Sequence, residues 1–362
     1  MGKIRVLIAD DSALMRRELT RILESDPQIE VLAAARNGQD AVEKTRKLDP
    51  DVVALDINMP VMDGLTALQN IMMDSPRPVV MISSLTQEGA LTSYEALELG
   101  AVDFVGKPGG TISRDIRRSS DEIINKIKAA ASANKKRLSH HRVRRPATAT
   151  KRATRTAARP SANGRIVVIG QSTGGPNTIL DILPLLPADL GAPVVIIQHM
   201  PASFTPSFAE RLDRHCAFPF KQAEAHDVVE DNHGYLAPGD SHMLLARRGG
   251  HRKGALVRLS PEPADTLHRP SVDVTMHSIL QLYGGPNIVA VLLTGMGADG
   301  ADAMAAIRKA GGRTIAESEE TSIVFGMPRE AIARGGAEFV LPSYEIAEKI
   351  VALVGAGARV SA

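Results

Sequence analysis

Two groups of chemically capable side chains stand out along the 362-residue chain. In the first group Asp10, Asp11 and Asp56 supply carboxylates, and Ser83 and Lys107 add a hydroxyl and a cation further on. Crowded carboxylates repel one another, and an oxygen-seeking divalent cation such as Mg²⁺ relieves that repulsion. Asp56 is then able to attack a phosphoryl phosphorus, while the cation and Lys107 neutralise charge on the transferring group and Ser83 hydrogen-bonds its oxygens. In the second group Ser172 lies within Gly170-Gln-Ser-Thr-Gly174, with His199 and Asp299 downstream. A serine needs a base to become nucleophilic. Ser172 would attack, His199 would move the proton and Asp299 would orient the imidazole. The glycines beside Met296 let its backbone approach a ligand, which makes its N–H a candidate oxyanion donor. Asp273 and Asp302 compete with Asp299 for the acid's place, and a glycine-rich turn of this kind also suits a phosphate.

These residues need elements to position them. Short apolar runs at Arg5–Ala9, Val31–Ala35, Val52–Leu55, Val79–Ile82 and Asp103–Val105 predict five strands. Amphipathic stretches near 12–25, 38–48, 64–74, 88–99 and 115–131 predict the helices between them. Nearly continuous apolar strands alternating with helices imply a parallel sheet covered on both faces, here a small doubly wound α/β domain over residues 1–131. Ligand sites in such sheets lie at the carboxyl ends of the strands. Asp10 and Asp11 follow the first strand, Asp56 the third, Ser83 ends the fourth and Lys107 follows the fifth, so all five converge. Taken singly, Asp10 or Asp11 would be read as a helix cap.

The alternation resumes over 165–362, with strands at Ile166–Ile169, Pro193–Ile197, Ile288–Leu293, Arg313–Ala316 and Phe339–Leu341. Gly174, Gly175 and Pro176 open a helix directly after Ser172, and proline suits a first helical turn. Exposing a serine at a strand-to-helix turn also brings it near backbone N–H donors. The stretch Phe218–Leu259, rich in Gly and His, predicts a hairpin or antiparallel edge. The second domain is therefore a larger, doubly wound, mainly parallel α/β unit. The order Ser, His, Asp differs from the Ser, Asp, His order of α/β-hydrolases.

Residues 132–164 hold almost no large apolar side chain and cannot offset the entropy of ordering, which predicts a flexible basic linker. Ten Lys/Arg and no Asp/Glu fall between Lys135 and Arg159; without those ten the formal net charge of +2 becomes about −8. The linker's charge would suit nucleic acid or an anionic surface, but no aromatics are interleaved for base stacking. The chain is 44% hydrophobic and 23% charged, ordinary for a soluble globular protein. No apolar run is long enough to span a bilayer and the N-terminus lacks a signal peptide, so a cytoplasmic protein without membrane insertion is expected. The single Cys216 excludes an internal disulfide framework and reads as a structural thiol.

Beyond these physical readings, Leu7-Ile-Ala-Asp-Asp-Ser12, Leu55-Asp-Ile-Asn-Met-Pro-Val-Met-Asp-Gly64, Ile82-Ser-Ser84 and Phe104-Val-Gly-Lys-Pro108 resemble a response-regulator receiver domain. The resemblance implies Asp56 as phosphoacceptor, with Mg²⁺ held by Asp11, Asp56 and the carbonyl of Asn58 and with Asp10 close by. It places Ser83 and Phe104 at the two switch positions; Phe104 lacks the hydroxyl that some members carry there. Ile169-Gly-Gln-Ser-Thr-Gly-Gly-Pro176, Gln198-His-Met-Pro201, Tyr235-Leu-Ala-Pro-Gly239, His268-Arg-Pro-Ser-Val-Asp273, Leu293-Thr-Gly-Met-Gly-Ala-Asp-Gly300 and Ser322-Ile-Val-Phe-Gly-Met-Pro-Arg-Glu330 resemble the chemotaxis protein-glutamate methylesterases, the CheB family. The implied triad is Ser172, His199 and Asp299, with no cofactor at the serine site. Gln171 departs from the Ala often found there.

The resemblance implies a phosphorylation-activated esterase that hydrolyses glutamate methyl esters on chemoreceptors and also deamidates glutamine. A chemotaxis histidine kinase would be the phosphodonor, and no nucleic acid is expected. It further implies a receiver that covers the esterase site until phosphorylated. Two other readings are a regulator with a binding output through the basic linker, and an esterase serving a non-chemotaxis receptor system.

Overall fold

The computed structural model describes residues 2–83, 87–107, 113–133, 164–248 and 254–355. The basic linker predicted at 132–164 lies, apart from its ends, outside the described residues. The chain divides into two compact units, Met1–Arg144 and Arg145–Ala362.

The first unit alternates β1 (Ile4–Ala9), α1 (Ala13–Glu24), β2 (Ile29–Ala35), α2 (Gly38–Leu48), β3 (Val52–Asp56), α3 (Gly64–Asp74), β4 (Val79–Ser83), α4 (Gln87–Glu98), β5 (Asp103–Gly106) and α5 (Ser113–Ala131). Its sheet runs β2-β1-β3-β4-β5 and is parallel throughout. Every residue of β3 and β4 is buried, as a sheet covered on both faces requires. The order reverses at β1, which opens a crevice between the carboxyl ends of β1 and β3. Ser12 caps α1 by accepting from Met15 N, so neither Asp10 nor Asp11 performs that task.

The second unit begins with β6 (Ile166–Gln171), α6 (Gly175–Ile182), β7 (Val194–Gln198), α7 (Thr205–His215), β8 (Phe220–Gln222), β9 (Val228–Val229), β10 (Gly234–Leu236), β11 (His242–Arg247) and β12 (Ala255–Ser260). It continues with α8 (Val272–Tyr283), β13 (Ile288–Leu292), α9 (Ala301–Lys309), β14 (Arg313–Glu317), α10 (Met327–Ala333), β15 (Phe339–Leu341) and α11 (Ser343–Gly355). The main sheet runs β15-β14-β13-β6-β7-β10-β8, all parallel. The predicted hairpin exists as β11 paired with β12, in an antiparallel sheet ordered β11-β12-β9. The neighbouring short strands β8 and β10 behave differently and extend the parallel sheet. Three-residue strands carry too little period-two pattern for the sequence to say which sheet they join.

All of β6, β7 and β13 is buried. Their side chains pack with Val272, Met276 and Ile279 of α8 and Met304 and Ile307 of α9 in one apolar core. Cys216 is buried and burial pushes its thiol up, which keeps it protonated and unreactive. Among the described residues, no helix is long and apolar enough to cross a membrane.

Candidate active site and acidic site

In the first unit, the carboxylate oxygens of Asp10, Asp11 and Asp56 lie within 4.8 Å of one another. Asp10 and Asp56 are buried and Asp11 is exposed. Lys107 Nζ lies 2.8 Å from Asp56 Oδ2 and 3.0 Å from Asp10 Oδ2. These are charge contacts, for among the described residues neither oxygen accepts a well-directed hydrogen bond. The other oxygens are engaged by the backbone, Asp10 Oδ1 by Ser12 N at 2.8 Å and Asp56 Oδ1 by Ile57 N at 2.8 Å. Burial, aided by the Asp10 charge, pushes the Asp56 carboxyl up, and Lys107 counteracts this only in part. Burial works to lower Lys107, but Asp56 and Asp10 outweigh it and hold the ammonium above its usual value.

Ser83 is buried at the end of β4 and its Oγ donates to Gly89 O at 3.1 Å. Phe104 is 1% exposed, packed edge-on to Tyr94 at 5.6 Å with Lys126 Nζ 5.5 Å above its ring. Asn58 stands exposed in the loop that follows β3.

In the second unit, the chain reverses direction across the sheet at β6, and the three predicted residues fall beyond β6, β7 and β13. His199 Nε2 lies 2.8 Å from Asp299 Oδ2. Asp299 also accepts from Ser271 Oγ at 2.8 Å, Val272 N at 2.7 Å and Asp273 N at 3.0 Å. The carboxylate therefore sits on the first turn of α8, where free N–H groups and the helix dipole favour an anion. Burial alone would push Asp299 up, but the His199 ring and these backbone donors overcome it and hold the carboxyl well below the usual range.

His199 is 7% exposed and its Nδ1 has no hydrogen-bond partner among the described residues, so that nitrogen is left for a proton transfer. Ser172 is half-buried at the turn between β6 and α6. Its N–H donates to Thr294 O at 3.0 Å, which ties the Ser172 turn to the loop carrying Met296. A Cβ on Gly295 would lie 2.7 Å from Ser172 Cβ, so only glycine lets that loop come so close. Met296 follows, half-buried.

The competing acids are engaged elsewhere. Asp273 Oδ1 accepts from Ala303 N at 2.8 Å at the start of α9, and the exposed Asp302 pairs with Arg334 at 2.7 Å.

Three contributors carried no assigned role in the sequence reading. His268 stacks on the His199 ring, with centroids 4.0 Å apart and planes 18° from parallel. Ser271 both caps α8 and donates to Asp299. Glu317 is fully buried and accepts from Thr294 N at 2.8 Å and Thr321 Oγ1 at 2.8 Å, which anchors the loop behind Ser172. The run from His268 to Asp273 was visible as a motif, but nothing in its spacing says which member meets the imidazole.

The fold and the two sites define a two-part class, a phosphoacceptor receiver module joined to a serine-type hydrolase. Residues 6–113 match the response regulator receiver domain family and residues 167–350 match the CheB methylesterase family. A protein-glutamate methylesterase/protein-glutamine glutaminase of Caldanaerobacter subterraneus is 52% identical over 365 residues, covering 99% of both chains. A second protein of that name from Carboxydothermus hydrogenoformans is 52% identical over 354 residues, covering 98% of this chain and all of the other. The crystal structure of the Thermotoga maritima CheB methylesterase catalytic domain matches with 42% identity and a TM-score of 0.50, over 52% of this chain and 98% of that one. The chain belongs to the CheB methylesterase family, with a receiver domain ahead of the esterase.

Proposed function

We propose that this protein removes methyl groups from glutamate methyl esters on chemoreceptors, and deamidates glutamine by the same route, under control of phosphorylation at Asp56. Support for the esterase comes above all from the 2.8 Å contact between His199 and an Asp299 carboxylate held ionised, with a half-buried serine at the strand-to-helix turn of the adjacent strand.

Ser172 Oγ attacks the ester carbonyl carbon while His199 Nδ1 takes the hydroxyl proton. The N–H of Met296 receives the oxyanion of the tetrahedral intermediate. Collapse breaks the bond to the methoxy oxygen, and His199 returns the proton so that methanol leaves. Water then attacks the acyl-serine with His199 again as base, releasing glutamate and free Ser172. Asp299 keeps Nε2 protonated and stabilises the imidazolium. An amide substrate follows the same steps with ammonia as leaving group.

In the receiver, residues 1–131, Asp56 accepts the phosphoryl group from a histidine kinase. Asp10, Asp11, Asp56 and the carbonyl of Asn58 suit a divalent cation such as Mg²⁺, because three carboxylates gather there and two of their buried oxygens lack a directed hydrogen bond among the described residues. The cation would neutralise charge on the phosphoryl oxygens. Lys107 pairs with the same anion, and Ser83 with Phe104 transmits the change. Residues 132–164 serve as the tether and 165–362 as the esterase. The serine site itself calls for no cofactor.

The test is methanol release from methylated receptor membranes, with and without a small phosphodonor and Mg²⁺. The expected result is release by the wild type, faster with donor, and a loss on the order of 10³-fold or more in Ser172→Ala. No release from the phosphorylated wild type overturns the esterase reading.

A further inference from the structure

Ser172 and His199 leave adjacent strands, and their side chains must exchange a proton across the gap. One buried side chain links their backbones. Gln198 ends β7 directly ahead of His199 and is 2% exposed. Its Nε2 donates to Ser172 O at 3.1 Å and to His199 O at 3.0 Å. Ser172 O also accepts from Gly175 N at 2.9 Å, and His199 N donates to Gln171 O at 3.2 Å. The nucleophile's turn and the base's strand end are thus fastened to each other by that backbone bond and, at Ser172 itself, through the Gln198 amide nitrogen.

The fold makes room for that amide. A Cβ on Gly175 would lie 2.5 Å from Gln198 Oε1, so any other residue there would force the side chain out of its place. The neighbouring Gln171 offers an internal contrast. It is fully buried beside the same glycine, yet neither its nitrogen nor its oxygen has a hydrogen-bond partner among the described residues.

We propose that Gln198 is a positioning residue that sets the separation of Ser172 and His199 by bridging their two carbonyls. It touches no substrate and acts through the two backbones it joins. Proton transfer requires the hydroxyl and ring nitrogen to meet within roughly 2.6–3.2 Å. A misplacement of about 1 Å costs on the order of 10²-fold in rate. The chemistry of the bridge demands an amide of glutamine's length. Methionine fills similar space but donates nothing, and asparagine donates but is one methylene too short to span both carbonyls.

The inference rests on the esterase reading, and methanol release by full-length protein from methylated receptor membranes separates the two. Gln198→Met is expected to lower kcat by roughly 10- to 100-fold, with KM within twofold of wild type. Labelling of Ser172 by a fluorophosphonate slows in step with kcat. Gln171→Ala, which removes the neighbouring amide but no bond to the catalytic backbones, keeps kcat within about twofold. A wild-type kcat in Gln198→Met overturns the bridge, as does an equal loss in Gln171→Ala or a kcat loss that follows the unfolded fraction. If Gln198→Met does not fold, Gln198→Asn decides: a lower kcat at unchanged KM supports the bridge, and wild-type turnover refutes it. If the wild type itself shows no Ser172-dependent release, the esterase reading fails instead.

Discussion

Asp56, buried, and Asp299, half-buried, are both aspartates beyond strands of parallel sheets, and the protein treats them in opposite ways. Among the described residues Asp56 receives one backbone N–H and one lysine, next to a second carboxylate, and burial drives its carboxyl up. Asp299 receives two backbone N–H groups from the first turn of α8, a serine hydroxyl and the His199 ring, and stays far down. The difference lies in donor count and in charge. An incompletely neutralised carboxylate is suited to take on a cation and a phosphoryl group. A saturated one is suited to remain an anion and hold an imidazole. Residue type and burial alone do not assign a role to an aspartate; the number of donors pointed at it does.

The largest break in this comparison comes from removing the charge of Asp299. Asp299→Asn is expected to reduce methanol release by on the order of 10³- to 10⁴-fold, because the imidazole loses both its tautomer and its counter-charge. A loss below about tenfold would mean that Asp299 is not the acid of the triad. At the other aspartate, Asp56→Asn should abolish acceleration by a phosphodonor while leaving unstimulated release within about twofold. The same variant should weaken Mg²⁺ binding, measured directly, by roughly 10- to 100-fold. Stimulation that persists in Asp56→Asn would move the phosphoacceptor elsewhere.

Acid unfolding sharpens the contrast with a sign. Asp299 is held below its ordinary value of 3.8, so the folded state binds its proton less readily than the unfolded state. Its stabilising contribution is therefore complete above that value and is lost as pH falls through the lower, folded one. Asp56 is raised, so it behaves oppositely: the folded state holds its proton longer, and stability declines as pH rises through the folded value. Denaturant unfolding followed from about pH 3 to pH 7 should show the stability gap between wild type and Asp299→Asn narrowing toward acid. For Asp56→Asn the wild type should gain relative to the variant toward acid. Parallel curves for both variants would contradict the opposed shifts.

The smallest effect concerns the loops. In the Asp299 loop the positive φ angles fall on Gly297 and Gly300, at 87° and 93°. In the loop beyond Asp56 the left-handed conformation falls on Val61, at φ 69°, with a side chain 80% exposed. A β-branched residue is strained there, whereas glycine is not. Val61→Gly should raise the stability of the receiver by about 1 kcal/mol, read from denaturant unfolding. A loss of stability would show that Val61 contributes contacts worth more than its strain.

Much of this is legible in the amino-acid sequence. Apolar runs separated by helical periods marked ten of the fifteen strands close to their observed bounds, because strands buried on both faces must be apolar throughout. Ser172, His199 and Asp299 were visible because each follows such a run. The strands left unmarked were β8, β9 and β10, of two or three residues each, which carry no period, while β11 and β12 were expected only as a hairpin somewhere within Phe218–Leu259. Asp273 and Asp302 could not be dismissed from the sequence; only their engagement with Ala303 N and Arg334 set them aside.

The two α/β units, the strand ends that hold the candidate residues and the family are all written in local pattern and residue identity. How those ends meet depends on the closed fold. It put Asp299 on the first turn of α8, laid His268 against His199, set Glu317 behind Thr294 and brought Gln198 across to Ser172. Each of those contacts joins residues from different elements, and the distance between them is fixed by sheet order and helix packing. No local pattern encodes that distance, because it exists only once the chain has closed around its core.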